Sequence, residues 1–467
     1  MSTQESEASP SAETVTETSP LLPRAEVNDA SSDNRRWNLY KLFLIAAVYF
    51  LHRGMYNQFV SVYIILQSDE GEHLYLRRYM NILRVLLSLL TIGSWSHFAD
   101  VWGRKPVMLI SMTGTMLSYL VFALLQQVEF IQKDFRVYVG IVALDCLFGG
   151  SIAFNGLLHT YIADCASPGS RFKPFSALKG LSMVFYVGGV ELTMLPLILA
   201  GQKYLILSII TYIVVAVLNV VLIVWLLPET IRSPVHKLSI LKAAISPAVV
   251  LLRQPWLTLA LFVYSLTPNF DIIKIRFGII CSKGSFFSQW YFIFPYAASA
   301  LALLLLYPTI AILYQRKPRP LHSVLRFTRR LAYTCLSLDA FSTVTVISIA
   351  ASNRIAHLVF DAISPFTVAI APAIYSSIPS HSAVLFGSFS VIEALGGMFS
   401  NMFILRFFDW GSDDVTQYRL LYGSLAICLI LTGLLLFVDS TGGSVDEDDR
   451  STVLSTHDDE ETATLHS

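Results

Sequence analysis

GSWSHFADVWGRKPVML, residues 93–109, sits between two apolar runs that are each too long for the core of a soluble domain. Within it Asp100, Gly103, Arg104 and Lys105 crowd together, and Pro106 opens the second run. A glycine permits a turn too tight for a residue with a β-carbon, and proline suits the first turn of a helix, where its missing N–H removes no intrahelical bond. The segment therefore reads as a charged hairpin between two membrane helices. Short loops rich in Lys and Arg stay in the cytoplasm, which places the hairpin there and makes both flanking helices run outward from it.

The composition agrees. The chain has 467 residues, of which 54% are hydrophobic and only 14% charged, whereas soluble domains carry roughly 25% charged residues. Lys+Arg and Asp+Glu both number 33, so no bulk field points to nucleic acid as a partner. The cysteines Cys146, Cys165, Cys281, Cys335 and Cys428 are scattered, with neither a disulfide framework nor metal-ligand spacing; they read as packing residues.

Residues 1–36 are rich in Ser, Glu, Thr and Pro and nearly free of aromatic residues, which predicts a disordered cytoplasmic tail. Glu17-Thr-Ser-Pro-Leu21-Leu22 has the spacing of an acidic dileucine sorting signal, or is a chance match in a low-complexity tail. A membrane helix needs about 20 largely apolar residues, and twelve such spans are expected, at 42–66, 79–98, 107–127, 137–160, 177–200, 204–227, 257–280, 289–313, 331–351, 355–378, 383–407 and 417–438. The first six form an N-terminal bundle, 37–228, and the last six a C-terminal bundle, 256–438. Between them the linker 229–255 places Leu238, Leu241, Ile245 and Val249 at helical spacing with Lys237 and Lys242 off that face, as in a helix lying on the membrane surface. The tail 439–467 is acidic and expected to be disordered. An even number of spans puts both termini in the cytoplasm. Loops after even-numbered spans carry most of the cations, including Arg171, Lys173, Arg232, Lys237, Arg316, Lys317, Arg319 and Arg326.

The hairpin resembles the helix 2–3 loop signature of the major facilitator superfamily through Ala99, Asp100, Gly103, Arg104 and Lys105, with Ser96 at the family's opening glycine and Val101 where a basic residue usually follows the aspartate. Gly93–Ser96, Gly149-Gly150, Tyr161–Cys165 with Asp164, Arg171 beyond it, and Lys274–Phe277 are similar to the branch holding proton-coupled folate and haem carriers and many fungal facilitators. Pro228-Glu229-Thr230 closes the sixth span as in many facilitators. The resemblance covers most of the chain. It implies an all-α membrane protein, twelve transmembrane helices in two six-helix bundles, with spans 1, 2, 4, 5, 7, 8, 10 and 11 facing a central cavity. It also implies a gate made by Asp100, Gly103, Arg104, Lys105, Asp164 and Arg171. Two departures stand out. Asp145 occupies the place of the family's helix 4 arginine, and the helix 5 antiporter signature survives only as Gly180, Gly188 and Gly189, with Val184 and Phe185 replacing its central Gly-Pro. The half-kept signature points to export; the alternative is that these glycines simply let helices approach closely.

Charges inside the hydrocarbon cost at least ~2.5–3.5 kcal/mol each at its centre unless paired or hydrated. Arg53, Arg84, Asp145, Glu191, Asp271, Asp361 and Glu393 all fall on cavity-facing spans, and Asp339 on span 9 is the exception. They read as a substrate and proton pathway, or as ion pairs holding helices together. With ~1.5 Å of rise per residue, Arg53, Arg84, Asp145 and Glu191 fall in one shallow slab, about 7 to 14 Å below the outer surface. Tyr49, Tyr56, Tyr186, Tyr264, Tyr291, Tyr296 and Tyr375 are candidates to line a pocket. At the gate, Asp100 is expected to cap the helix beginning near Ser382, and Arg104 to pair with Asp164.

No phosphate-binding glycine loop, zinc-protease helix or nucleophile turn occurs, so no enzyme activity, cofactor or metal is expected. The reading is a secondary transporter of a small organic solute working by alternating access. Coupling is to protons or another ion, export is favoured, and proton-driven uptake or a non-transporting sensor are the alternatives. It is expected to act as a monomer in the lipid bilayer of a plasma or vacuolar membrane. The topology predicts that cysteines placed beside Arg104 and Arg326 label only from the cytosol, and that Glu72→Cys labels only from outside; cytosolic labelling of Glu72→Cys would overturn it.

Overall fold

The computed structural model describes residues 29–67, 72–125, 135–200, 205–230, 240–267, 296–316, 320–349, 368–377, 383–407 and 419–437. Among them the chain is helical without strands. The N-terminal half contains α1 (Asp29–Gln67), α2 (Glu72–Val101), α3 (Arg104–Leu125), α4 (Phe135–Leu147), α5 (Gly150–Cys165), α6 (Phe172–Ala200) and α7 (Leu205–Leu226). Next come α8 (Ile240–Arg253) and α9 (Pro255–Ser265), then α10 (Tyr296–Tyr314), α11 (Leu321–Ile349), α12 (Ile370–Ser376), α13 (Ala383–Phe407) and α14 (Arg419–Phe437). Eight described helices are long and apolar enough to cross a membrane, and the pair Lys242–Arg253 and Pro255–Ser265 makes up to nine. Most of expected spans 7 and 10, with Asp271 and Asp361, lies outside the described residues.

Two expectations need correction. The first helix begins at Asp29, inside the segment read as a disordered tail. The fourth span is two helices rather than one: α4 ends at Leu147, and Gly149 and Gly150 adopt φ of 92° and 55° before α5 resumes. Only glycine enters that region without strain. The break frees backbone carbonyls at the end of α4, and Trp95 Nε1 donates to that of Leu147 at 3.1 Å; Ser111 Oγ adds a bond to the Gly150 carbonyl at 2.8 Å.

Small residues set how closely the helices meet. A β-carbon on Gly189 would strike the Leu51 carbonyl, and one on Gly54 the Tyr186 carbonyl, so α1 and α6 touch through bare backbone. Gly180 rests on Leu303 and Leu304 of α10, in a five-residue π-helical stretch, Ala302–Leu306. Outward-facing side chains of α7 and α14, among them Val214, Val221, Trp225, Ile427 and Leu434, are exposed and apolar. So continuous an apolar surface suits lipid, not water. The linker helix α8 meets α9 at 96°. Its Ala243 and Pro247 face the protein while Ile245, Val249 and Leu252 are left uncovered, as a helix lying along the membrane surface requires.

The N-terminus of α3 is held by one side chain. Glu229 accepts from the backbone N–H of Arg104 at 2.9 Å and of Lys105 at 3.1 Å, two of the donors a helix start leaves without partners. Its carboxylate presses on Gly103, whose φ of 113° leaves no room for a β-carbon. The end of α7 is further tied down by Tyr161 Oη donating to the Pro228 carbonyl at 2.8 Å and Lys105 Nζ to the Val224 carbonyl at 2.7 Å. Loss of a charged cap costs about 1–3 kcal/mol, so Glu229→Ala is expected to lower the melting temperature of the detergent-solubilised protein and Glu229→Gln to recover part of the loss. Equal melting of wild type and Glu229→Ala would contradict the role.

Candidate functional site

The hairpin end of the molecule is closed by contacts between the two halves. Asp100 and Arg104, four residues apart across the turn, form an ion pair, and Arg104 Nε also meets Asp164 Oδ2 at 3.3 Å. Asp164 accepts from Thr230 Oγ1 at 3.0 Å. Asp100 reaches the other half as well: its Oδ1 accepts from the Ala383 N–H, the first residue of α13, at 3.3 Å. An anion there meets unpaired N–H groups and the positive end of the helix dipole. Arg171 is fully buried, donating to the Ala163 and Ala166 carbonyls at 3.4 Å. Burial pulls its pKa below the usual guanidinium value, and the nearby Asp164 opposes that shift.

Closure continues above the hairpin. A β-carbon on Gly156 of α5 would stand 2.8 Å from the Gly387 Cα of α13, and one on Gly387 would meet Ser96 Oγ of α2. Ser176 Oγ of α6 donates to the Leu303 carbonyl at 2.7 Å, and Gln315 Nε2 to the Gly169 carbonyl at 2.9 Å.

Beyond that plug lies a cavity between the halves, lined by Phe50, Asn155, His159, Phe175, Lys179, Tyr375 and Glu393 among others. Helical spacing builds each wall: Asn155 and His159 are one turn apart on α5, and Phe175, Lys179 and Ser182 share a face of α6. His159 stacks on Tyr375, ring centroids 4.4 Å apart. Its Nδ1 lies 2.7 Å from the Asn155 backbone carbonyl, which only accepts, so Nδ1 carries the proton and Nε2 is an acceptor. Lys179 and Arg53 both lie within electrostatic reach of the Glu393 carboxyl, and neither forms a direct ion pair with it.

A second, small cavity lies inside the N-terminal half between α1, α2, α3, α4 and α5. Arg53, Arg84 and Asp145 line it with Tyr49, His52, Tyr56 and Thr115. Arg84 Nε stands 3.9 Å from Asp145 Oδ2, and Thr115 Oγ1 donates to Asp145 Oδ1 at 2.8 Å. The guanidinium of Arg84 donates to Tyr56 Oη and that of Arg53 to Tyr49 Oη, both at 3.3 Å.

Arg53, Arg84 and Asp145 thus come together as their depths imply, but Glu191 does not join them. It is exposed, and no ion pair to it occurs among the described residues. Nine residues beyond Ser182, it points to the opposite side of α6. Lys179, His159 and Asn155 were missed by sequence reasoning. Lys179 lies two residues inside an expected span end, where a lysine ordinarily reaches back to the interface; the signal available was the pair of polar residues one turn apart in span 4. Of the helix 5 glycines, Gly180 and Gly189 sit at close helix contacts, whereas a β-carbon on Gly188 would find only ordinary contact with Leu51. Cys146, Cys165, Cys335 and Cys428 are free thiols, and Cys281 lies outside the described residues. Among the described residues no group of His, Cys, Asp and Glu is placed to hold a metal.

No family model and no curated protein matches the chain. Solved structures do. The human organic anion transporter MFSD10 superposes with a TM-score of 0.65 at 16% identity, covering 86% of this chain and 99% of that one. A bacterial homologue of the iron transporter ferroportin, outward-facing, gives 0.62 at 11% identity over 86% and 99%. The major facilitator superfamily transporter FucP, in the outward conformation, gives 0.63 at 13% identity over 87% and 98%. Together with the paired halves and the cavity between them, these likenesses show that the chain has the fold of the major facilitator transporters.

Proposed function

We propose that the protein is a secondary active transporter that moves a small organic solute across a membrane by alternating access. The observation that carries this reading is the cavity between the two halves, plugged at one end by Asp100, Gly156 and Gly387. A site enclosed by two bodies that, among the described residues, meet through polar ties at the hairpin end and bare glycine backbone is suited to rocking of one against the other. The hairpin end is the cytoplasmic gate, with Gly103 and Lys105 shaping its turn and Asp100, Arg104, Asp164 and Arg171 supplying its ties. Those contacts belong to the state open to the outside and must break for the cavity to open inward. The bilayer is a plasma or vacuolar membrane, and the monomer is the working unit.

The coupling ion is a proton, carried by a membrane carboxylate. Asp145 is the leading candidate because Arg84 faces it at the outer limit of ion-pair distance and Tyr56 competes for the same guanidinium. Glu393 faces the solute cavity and stands second, ahead of Glu191, and Asp271 and Asp361 complete the set. Export is the direction read from helix 5. Proton-driven uptake is the second reading, because Gly180 and Gly189 already have a packing reason to be glycine.

Proteoliposomes test the coupling. Asp145→Asn is expected to abolish pH-gradient-driven accumulation while leaving solute exchange within about twofold of wild type, since exchange requires no net proton movement. If accumulation survives in Asp145→Asn and is lost in Glu393→Gln, the proton travels through the solute cavity instead.

A further inference from the structure

The walls of the central cavity divide their charges in a way that defines a ligand. Lys179 stands on α6 in the N-terminal half and Glu393 on α13 in the C-terminal half, each half-buried, facing one space without pairing. Opposite charges in a low-dielectric enclosure attract strongly, and a pair held apart across a cavity is complementary to a molecule bearing both charges. The wall between the two charges also carries acceptors. The Asn155 carboxamide oxygen is buried with no donor among the described residues, and His159 presents Nε2 because its Nδ1 proton is already used. Ser182 and Tyr375 add hydroxyls to the same wall, the Tyr375 Oη on the side of the Glu393 carboxyl. A buried polar atom left without a partner costs about 1–3 kcal/mol, so Asn155 Oδ1 on the cavity wall marks a place where a ligand completes the bonding. Phe50, Phe175 and the stacked His159–Tyr375 rings supply the apolar remainder.

Resting on the transporter reading, we infer that the central cavity binds a small zwitterion with an apolar body, its carboxylate held by Lys179 and its ammonium by Glu393. The ammonium's charge is met by the Glu393 carboxylate, and Asn155 Oδ1 and His159 Nε2 are further acceptors on the cavity wall. The carboxylate meets the Lys179 ammonium and a hydroxyl. A ligand that touches Lys179 and Glu393 together also bridges the two halves of the molecule, which ties binding to the relative position of those halves.

Three probes of one shape test the assignment in counterflow with the purified protein in proteoliposomes: phenylalanine, 3-phenylpropionate lacking the ammonium, and phenethylamine lacking the carboxylate. Phenylalanine is expected to exchange with a half-saturation roughly tenfold to a hundredfold lower than either single-charge probe, the loss set by one charge-assisted contact. Lys179→Met should raise the phenylalanine value by a similar factor and leave phenethylamine unchanged. Glu393→Gln should do the converse, sparing 3-phenylpropionate. A mere latch between the halves would weaken all three probes alike, and that result overturns the inference. So does a wild-type protein that exchanges a single-charge probe as well as phenylalanine, although the transporter reading then stands because flux is seen. Exchange of none of the three also overturns it, and the transporter reading is then judged by whether the hairpin end opens. The wild-type ranking decides the matter even if a variant fails to fold.

Discussion

Asp100 has two partners that belong to different halves of the protein. Through Arg104 it is tied to Asp164 and the N-terminal bundle, and through the Ala383 N–H it caps the first turn of α13 in the other bundle. Charge-assisted bonds of this kind are stronger than neutral ones but remain worth only a few kcal/mol. That magnitude suits a gate. A contact much stronger would hold the plug shut, and one much weaker would not bias a two-state equilibrium.

What surrounds this tie is arranged to keep it in register. Glu229 fixes the start of α3 and therefore the direction in which Arg104 points, while Thr230 orients Asp164. Gly156 and Gly387 allow α5 and α13 to approach until backbone meets backbone. Contact of that sort, at the two glycines, brings the helices close without side chains between them. The polar clusters lie beyond the plug: the lysine–glutamate cavity between the halves, and the arginine–aspartate cavity inside one of them. Hydrocarbon penalises every unpaired polar atom, so two such clusters persist only with function or hydration to support them.

The hairpin was the most legible part of the sequence because turn, cap and charge rules all act within a few residues there, and each leaves its own residue type: Gly103, Pro106, Arg104. Helices such as α13 were legible from apolar length alone. The break at Gly149 was not, since a glycine pair inside an apolar run looks the same whether it packs a helix or ends one; only backbone dihedrals distinguish the two cases. Depth along a helix correctly grouped Arg53, Arg84 and Asp145 but placed Glu191 with them, because rise gives height and not facing. Lys179 went unseen for the opposite reason. It lies near an expected span end, where a lysine ordinarily reaches back to the interface, whereas α6 starts at Phe172 and carries it well inside.

The central claim is that the hairpin end opens and closes as the two halves move. Spin labels on the exposed positions Ser167 and Leu321, which flank the seam where Gln315 meets the Gly169 carbonyl, measure this directly by pulsed dipolar spectroscopy in lipid nanodiscs. The account predicts a dominant short distance in the wild-type background, together with a longer population that grows when Asp100→Asn removes the charge at the tie. One distance distribution, identical with and without Asp100→Asn, would contradict it.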